Sequence, residues 1–258
     1  MIIVARDAMN VFANETGDST DQAMVKALIF DIDGTIIDSV GAHIEAWKRT
    51  FAHFGKEVSD EEIRRHIGEG SDDMLPVFFS EQELHRFRPE LERYRGEIFN
   101  REYLPSLKAF PEVRELFERI KNDGKKIALA STAPAKEIDI YKEIARIADL
   151  VDCAVCSEEV SESKPHSDIC GVALRKLGKL APPKVIAIGD TKYDVESAAR
   201  NNVCTIGLLC GGGTREELQR GGCVALYHDP ADLRAHMVGG FWAHRPWVAE
   251  MPSPEMSG

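Results

Sequence analysis

Asp31-Ile32-Asp33-Gly34-Thr35 sets two carboxylates two residues apart, directly after the apolar run Ala27 to Phe30. Alternate side chains of an extended chain share a face, so Asp31 and Asp33 leave a strand on the same side. There they can meet one bound cation and one substrate, as metal ligands and as a nucleophile. Gly34 permits close backbone approach to a ligand, and Thr35 adds a hydroxyl for substrate binding. A single aspartate in an Asp-Gly turn commonly does no more than close an Asx turn. The paired arrangement at a strand end favours chemistry.

Three further segments carry complementary groups. Ile127 to Ala130 ends in Ser131-Thr132, whose hydroxyls can donate to phosphate oxygens, or can cap a helix ahead of Pro134. Lys164 lies in Glu162-Ser163-Lys164-Pro165-His166, where proline keeps the chain out of helix and fixes the approach of the lysine. An ordinary surface lysine is the alternative reading. Val185 to Ile188 runs into Gly189-Asp190-Thr191-Lys192-Tyr193-Asp194, a second apolar strand ending in glycine and acids. Phosphoryl transfer through Mg2+ needs these parts: oxygen ligands for a hard ion, a carboxylate that can accept the phosphoryl group, and a lysine with hydroxyls to compensate its oxygens.

The elements that must position these residues follow from apolar runs at Val25 to Phe30, Lys126 to Ala130, Leu150 to Cys156, Lys184 to Ile188 and Val203 to Leu208. Helical sequence separates them, which predicts an α/β fold with a doubly wound parallel sheet. Between the first two runs, Val40 to Phe54, Asp60 to Ile67 and Glu81 to Tyr103 read as helices, broken at Gly68-Glu69-Gly70-Ser71. An insert after the first strand emerges at the sheet edge where ligands bind, so it can act as a lid. Pro111 is expected in the first turn of the helix that returns the chain to the core.

The expected organisation is an N-terminal extension over 1–23, a Rossmann-like core from 24–37 and 106–238, a helical cap over 38–105, and a C-terminal tail over 239–258. That tail carries Phe241, Trp242 and Trp247, so it is either loose or docked in a hydrophobic groove. The 258 residues carry a formal charge of −11, which argues against nucleic acid or an anionic membrane as partner. No apolar run is long enough to span a bilayer and no secretory signal opens the chain, so a cytoplasmic location is expected. The six cysteines are too sparse for a disulfide scaffold, and Cys153-Ala-Val-Cys156 reads as buried structural thiols.

Taken together, DIDGT at 31–35, LAST at 129–132, SKP at 163–165 and GDTKYD at 189–194 resemble the motifs of the haloacid dehalogenase superfamily, in the same order. The resemblance spans roughly Met24 to His236 and implies a capped doubly wound core. It implies Asp31 as the nucleophile that becomes an aspartyl phosphate, and Asp33 as general acid and then base. Ser131 and Lys164 would hold the transferring phosphoryl group. Asp190 would bind Mg2+ with the Asp31 carboxylate and the Asp33 carbonyl, assisted by Asp194. Family members that dehalogenate lack the second aspartate, so Asp33 favours phosphate ester chemistry.

Within the family, Asp38 to Trp47 is similar to the start of the β-phosphoglucomutase cap, so His43 either orients Asp33 or contacts substrate, or simply packs at a helix interface. The motif GDTKYD and the acidic turn after Gly68 instead resemble phosphatases. Trp47, Phe51 and Phe54 recur at helical spacing and read as core, while Arg64, Arg65 and His66 are candidate contacts for an anionic substrate. The expectation is a Mg2+-dependent phosphatase acting on a small phosphorylated metabolite, of phosphoglycolate or sugar phosphate type. A mutase is the rival, and a non-catalytic binding protein using its aromatic tail is the reading from another class. The motifs are compatible with a monomer.

Overall fold

A computed structural model describes residues 24–160, 169–237 and 242. Six parallel strands form one sheet in the order β3-β2-β1-β4-β5-β6. They are β1 (Ala27–Phe30), β2 (Lys126–Ala130), β3 (Cys153–Val155), β4 (Val185–Gly189), β5 (Cys204–Leu208) and β6 (Ala225–Tyr227). Five coincide with the apolar runs, although β3 retains only three residues of Leu150 to Cys156. The sixth was not expected, because three half-buried residues after Gly221-Gly222 give little periodic signal.

The two faces of the sheet differ in bulk. Leu28, Phe30, Ile127, Leu129, Ile186 and Ile188 point to one side, where they pack with Leu116, Phe117, Ile120 and Leu233. Ala27, Ile29, Ala128, Ala130, Val185 and Ala187 point to the other, against Ile169, Cys170, Ala173 and Ala198. Strands covered on both faces must be apolar throughout, which is why they read as continuous runs.

Between β1 and β2 the chain forms α1 (Val40–His53), α2 (Asp60–Arg64), α3 (Ser71–Phe78) and α4 (Glu81–Ile98), then a π-helical turn at Phe99–Tyr103. Their apolar faces gather Ile44, Trp47, Phe51, Ile63, Met74 and Leu91 into a cluster separate from the two beside the sheet. Ser59 and Ser80 start α2 and α4 with capping boxes to Glu62 and Glu83. The break at Gly68-Glu69-Gly70 is present, but Ser71 opens α3, a helix that the sequence reading left out.

The chain rejoins the core through α5 (Val113–Asn122). Pro111 is not in its first turn: Glu112 has φ 60°, a left-handed conformation that keeps both residues outside the helix. The remaining helices are α6 (Ala135–Ile144), α7 (Ile169–Lys176), α8 (Lys192–Ala199), α9 (Arg215–Gly221) and α10 (Pro230–His236). No helix among the described residues is long and apolar enough to cross a membrane. All six cysteines are free thiols, and burial pushes Cys156 up to about 11, as expected for unreactive structural positions.

The N-terminal extension, Phe241 and Trp247 lie outside the described residues. Trp242 is 3% exposed and joins the cluster on the bulky face of the sheet, while its carbonyl accepts from the Val25 amide at 3.5 Å. The tail is therefore docked at this residue. Trp242→Ala is expected to lower the unfolding free energy by about 3 to 5 kcal/mol, measured by urea denaturation.

Candidate active site

Register alone brings the distant motifs together. Phe30 pairs with Leu129 of β2 on one side and Ile188 of β4 on the other. Continuing both ladders sets Ser131 and Asp190 on either side of the turn that follows Asp31. This is the carboxyl edge of the sheet, at the point where strand order reverses, the usual ligand crevice of open α/β sheets.

Asp31, Asp190 and Asp194 each offer a carboxylate oxygen, and these oxygens lie within 4.8 Å of one another. Asp190 is fully buried and accepts from Thr35 Oγ1 at 2.8 Å and from the Gly212 amide at 2.6 Å. Glycine is required around it. A Cβ on Gly34 would lie 2.5 Å from Asp190 Oδ2, and one on Gly211 would lie 1.9 Å from it. Gly34 also has φ +84°, which only glycine adopts without strain. Asp194 doubles as the third residue of α8, where it completes a capping box with Thr191. An all-oxygen, all-carboxylate set of this kind suits a hard divalent cation.

Asp33 faces the other way. Its Oδ1 accepts from Ser39 Oγ at 2.6 Å and lies 2.8 Å from His43 Nε2, both at the start of α1. Arg95 of α4 donates to His43 Nδ1. A guanidinium can only donate, so Nδ1 accepts and Nε2 carries the proton given to Asp33. Phe99, in the π-helical turn, stacks on His43 with ring centroids 4.3 Å apart. Burial would raise the Asp33 pKa, but the pull of His43 and hydrogen bonds from His43 and Ser39 outweigh it and hold it at about 2.

These groups border a cavity of about 210 Å3 between the sheet edge and the inserted helices, lined by Asp31, Asp33, Ser131 and Thr132 from the core and by His43, Trp47, His66, Gly68, Glu69 and Ser71 from the insert. Ser131 is buried, and its Oγ accepts from the Ala133 amide at 3.1 Å rather than capping α6, whose N-cap is Pro134. Trp47 serves both in the helical cluster and in the cavity wall. Of the three candidates at the end of α2, His66 borders the cavity, whereas Arg65 is exposed and paired with Glu61.

Two expectations for substrate binding need correction. Thr35 is fully buried with its hydroxyl on Asp190, and Gly34 turns its α-carbon toward the same carboxylate, so neither lines the cavity. The Asp33 carboxylate is outside the Asp31, Asp190 and Asp194 cluster, its Oδ1 engaged by Ser39 and His43, which leaves the backbone carbonyl as the atom of Asp33 expected to meet an ion. Lys164 lies outside the described residues. Sequence reasoning also missed Arg95, Glu137 and Tyr141. Glu137 borders the cavity from the first turn of α6 and accepts from Tyr141 Oη at 2.7 Å. Burial, and then the charge of Asp33, raise the Glu137 pKa.

A doubly wound α/β enzyme with opposed carboxylates at the switch point of its sheet and a helical insert above them is the class that this geometry defines. The family model for haloacid dehalogenase-like hydrolases matches residues 28–208, and the chain belongs to that family. Among curated relatives, the phosphorylated carbohydrates phosphatase of Thermotoga maritima is 30% identical over 206 residues, covering 78% of this chain and 94% of that protein. The phosphoglycolate phosphatase of Aquifex aeolicus is 27% identical over 192 residues, covering 72% and 86%. A hydrolase from Pseudomonas syringae superposes with TM-score 0.71 at 26% identity, covering 82% of this chain and 97% of that one.

Two outcomes are expected. Thr35→Val removes a donor from the central carboxylate and should weaken divalent-cation binding at this cluster about 10- to 100-fold, read by titration calorimetry with Mg2+ as the probe. Asp33 has a folded pKa of about 2, below its ordinary 3.8, so its stabilisation is fully present above about pH 4 and is lost as pH falls through 2. Asp33→Asn should abolish about 2 kcal/mol of that pH dependence, seen in unfolding free energies between pH 2 and 5.

Proposed function

We propose that the protein is a Mg2+-dependent phosphatase that hydrolyses a small phosphate monoester, of the phosphoglycolate or sugar phosphate type, through an aspartyl phosphate on Asp31. The observation that carries this reading is the opposite setting of the two neighbouring carboxylates. Asp31 lies beside Asp190 and Asp194, whereas Asp33 sits among hydrogen-bond donors from α1. The phosphatase names of the Thermotoga and Aquifex relatives support it.

Mg2+ held by Asp31, Asp190 and Asp194 would supply positive charge to the transferring oxygens and permit approach of an anionic substrate to a carboxylate. Asp31 attacks phosphorus, the bond to the leaving oxygen breaks, and Asp33 gives that oxygen a proton. Water then attacks the aspartyl phosphate, and Asp33 takes the proton back. At neutral pH the free protein rests with Asp33 ionised, the form required for the second half. A phosphate anion arriving beside Asp33 opposes that ionisation and favours its protonation for the first. Ser131 borders the same space and, with Lys164, would hold the phosphoryl oxygens.

Water as final acceptor is favoured over a second sugar phosphate because Glu69, an acid, occupies the cavity wall at the turn before α3. The insert reaches the metal loop there: a Cβ on Gly68 would lie 2.7 Å from Thr191 Cγ2, and Tyr193 Oη donates to the Arg65 carbonyl at 3.2 Å. Such closure limits bulk water during transfer.

Purified protein with Mg2+ should release inorganic phosphate from a panel of monoesters, and chelation should stop it. Asp31→Asn should remove turnover altogether. Asp33→Asn should slow it about 10^2- to 10^4-fold and let a phosphoenzyme accumulate, detected by intact-protein mass spectrometry. A folded protein inactive on every monoester would refute the reading.

A further inference from the structure

Arg95 of α4 borders the cavity together with Asp33 and His43. Arg88 and Arg93 of the same helix pair with Glu92 and Glu97, whereas no carboxylate of the described residues lies within ion-pair distance of Arg95. Its hydrogen bond to His43 Nδ1 goes to a neutral imidazole, which leaves the guanidinium charge uncancelled. Its Nε is buried and has no hydrogen-bond partner among the described residues. Glu137 and Asp33 attract it through space, but burial is the larger effect and draws its pKa below the usual arginine value. An arginine stays charged all the same.

A cation withdrawn from water without an anion in contact is costly, and a ligand that supplies the anion offsets that cost. The guanidinium is held ready for one. It lies against the rings of Phe99 and Trp47, 4.7 and 5.2 Å from their centroids, and the hydrogen bond to His43 fixes its direction. Its place also suits a leaving group. Asp33, which must meet the leaving oxygen, is joined through His43 to Arg95, and all three border a cavity of about 210 Å3. A small leaving group that reaches Asp33 therefore brings its next substituent beside the guanidinium. A carboxylate there gains charge-assisted hydrogen bonds from a planar donor that matches its own shape, which a hydroxyl does not. The acids of the wall leave this charge available. Glu69 Oε2 is 2.6 Å from His66 Nδ1, and burial with the charge of Asp33 raises the Glu137 pKa, so an arriving anion favours the protonated, donating form of Glu137.

We propose that Arg95 binds a carboxylate carried by the leaving group, so that the protein prefers monophosphates of small hydroxy acids to those of neutral alcohols of similar size. This rests on the phosphatase reading above and narrows it to one substrate class.

The test compares kcat/KM with Mg2+ for 2-phosphoglycolate and 2-hydroxyethyl phosphate, which differ in a carboxylate against a hydroxymethyl group. p-Nitrophenyl phosphate, with neither group, reports turnover as such. The wild type should favour 2-phosphoglycolate over 2-hydroxyethyl phosphate about tenfold or more. Arg95 also orients His43, so its variants should slow every substrate, and the ratio between the two esters is the quantity read. Arg95→Met should lower that ratio about tenfold or more, while Arg95→Lys, which keeps the charge without the planar fork, should retain part of it. Inhibition of p-nitrophenyl phosphate hydrolysis by 3-phosphonopropionate and by propylphosphonate repeats the comparison with no leaving group to protonate. The carboxylated phosphonate should bind the wild type about tenfold or more tightly than the other. Should Arg95→Met fail to fold, Arg95→Lys and the phosphonate pair still decide. A wild type that discriminates in neither pair would overturn the proposal, as would an Arg95 variant that loses activity equally on both esters; in either case turnover of p-nitrophenyl phosphate leaves the phosphatase reading standing. Absence of turnover on all three substrates would refute that reading and this proposal with it.

Discussion

The structure turns on the full burial of the Asp190 carboxylate at the carboxyl edge of the sheet. A buried carboxylate without partners is strongly destabilising, so the chain must surround it with donors, with a cation, or both. Thr35 and the Gly212 amide donate to it, and oxygens of Asp31 and Asp194 lie close enough to join it around one divalent cation. Three loops have to converge for this. The turn after β1 supplies Thr35, the end of β4 supplies Asp190 itself, and the glycine run after β5 supplies the amide. That convergence requires β1 beside β4 beside β5, the order observed. The glycines at 34 and 211 follow from the same requirement, since a side chain at either would occupy the position of the Asp190 carboxylate.

Asp33 solves the complementary problem. It sits two residues from Asp31, yet its partners belong to the inserted helices rather than to the sheet edge. Two neighbouring acids can divide nucleophilic and proton-transfer duties only if their surroundings differ. Here one side chain is sent toward Asp190 and Asp194 and the other toward Ser39 and His43, the difference in surroundings that the proposed roles require. Arg95 fixes the tautomer of His43 from the far end of the insert, and stacking on Phe99 fixes the ring plane.

The parts legible in the sequence are those governed by local rules. Strands buried on both faces announce themselves as apolar runs, and acids or hydroxyls just beyond them announce the sheet edge, so Asp31, Ser131, Asp190 and Asp194 could be placed together before any coordinates. The direction of a turn hydroxyl is not local, which is why Thr35 was expected at substrate but holds Asp190. Arg95 is 52 residues from His43 and sits on a helix whose charged residues mostly form exposed pairs such as Arg93–Glu97. Nothing in its sequence neighbourhood separates it from them. Glu137 and Tyr141 look like an ordinary amphipathic turn until the fold brings Glu137 to the cavity that His43 and Arg95 also line.

The position of the insert has a mechanical consequence. Ser39 and His43 lie at the beginning of its first helix, and Arg95 lies near the end of its last long one, so both ends of the insert converge on Asp33. The middle of the insert meets the loop after β4 through Gly68 and Thr191. A displacement that opened the cavity at Gly68 and carried α1 and α4 away would also remove the donors that depress the Asp33 pKa, and would admit water to Asp31. Access to Asp31 and the ionisation of Asp33 are thereby tied to the same packing, because an insert placed directly after β1 begins within hydrogen-bonding reach of the Asp33 carboxylate.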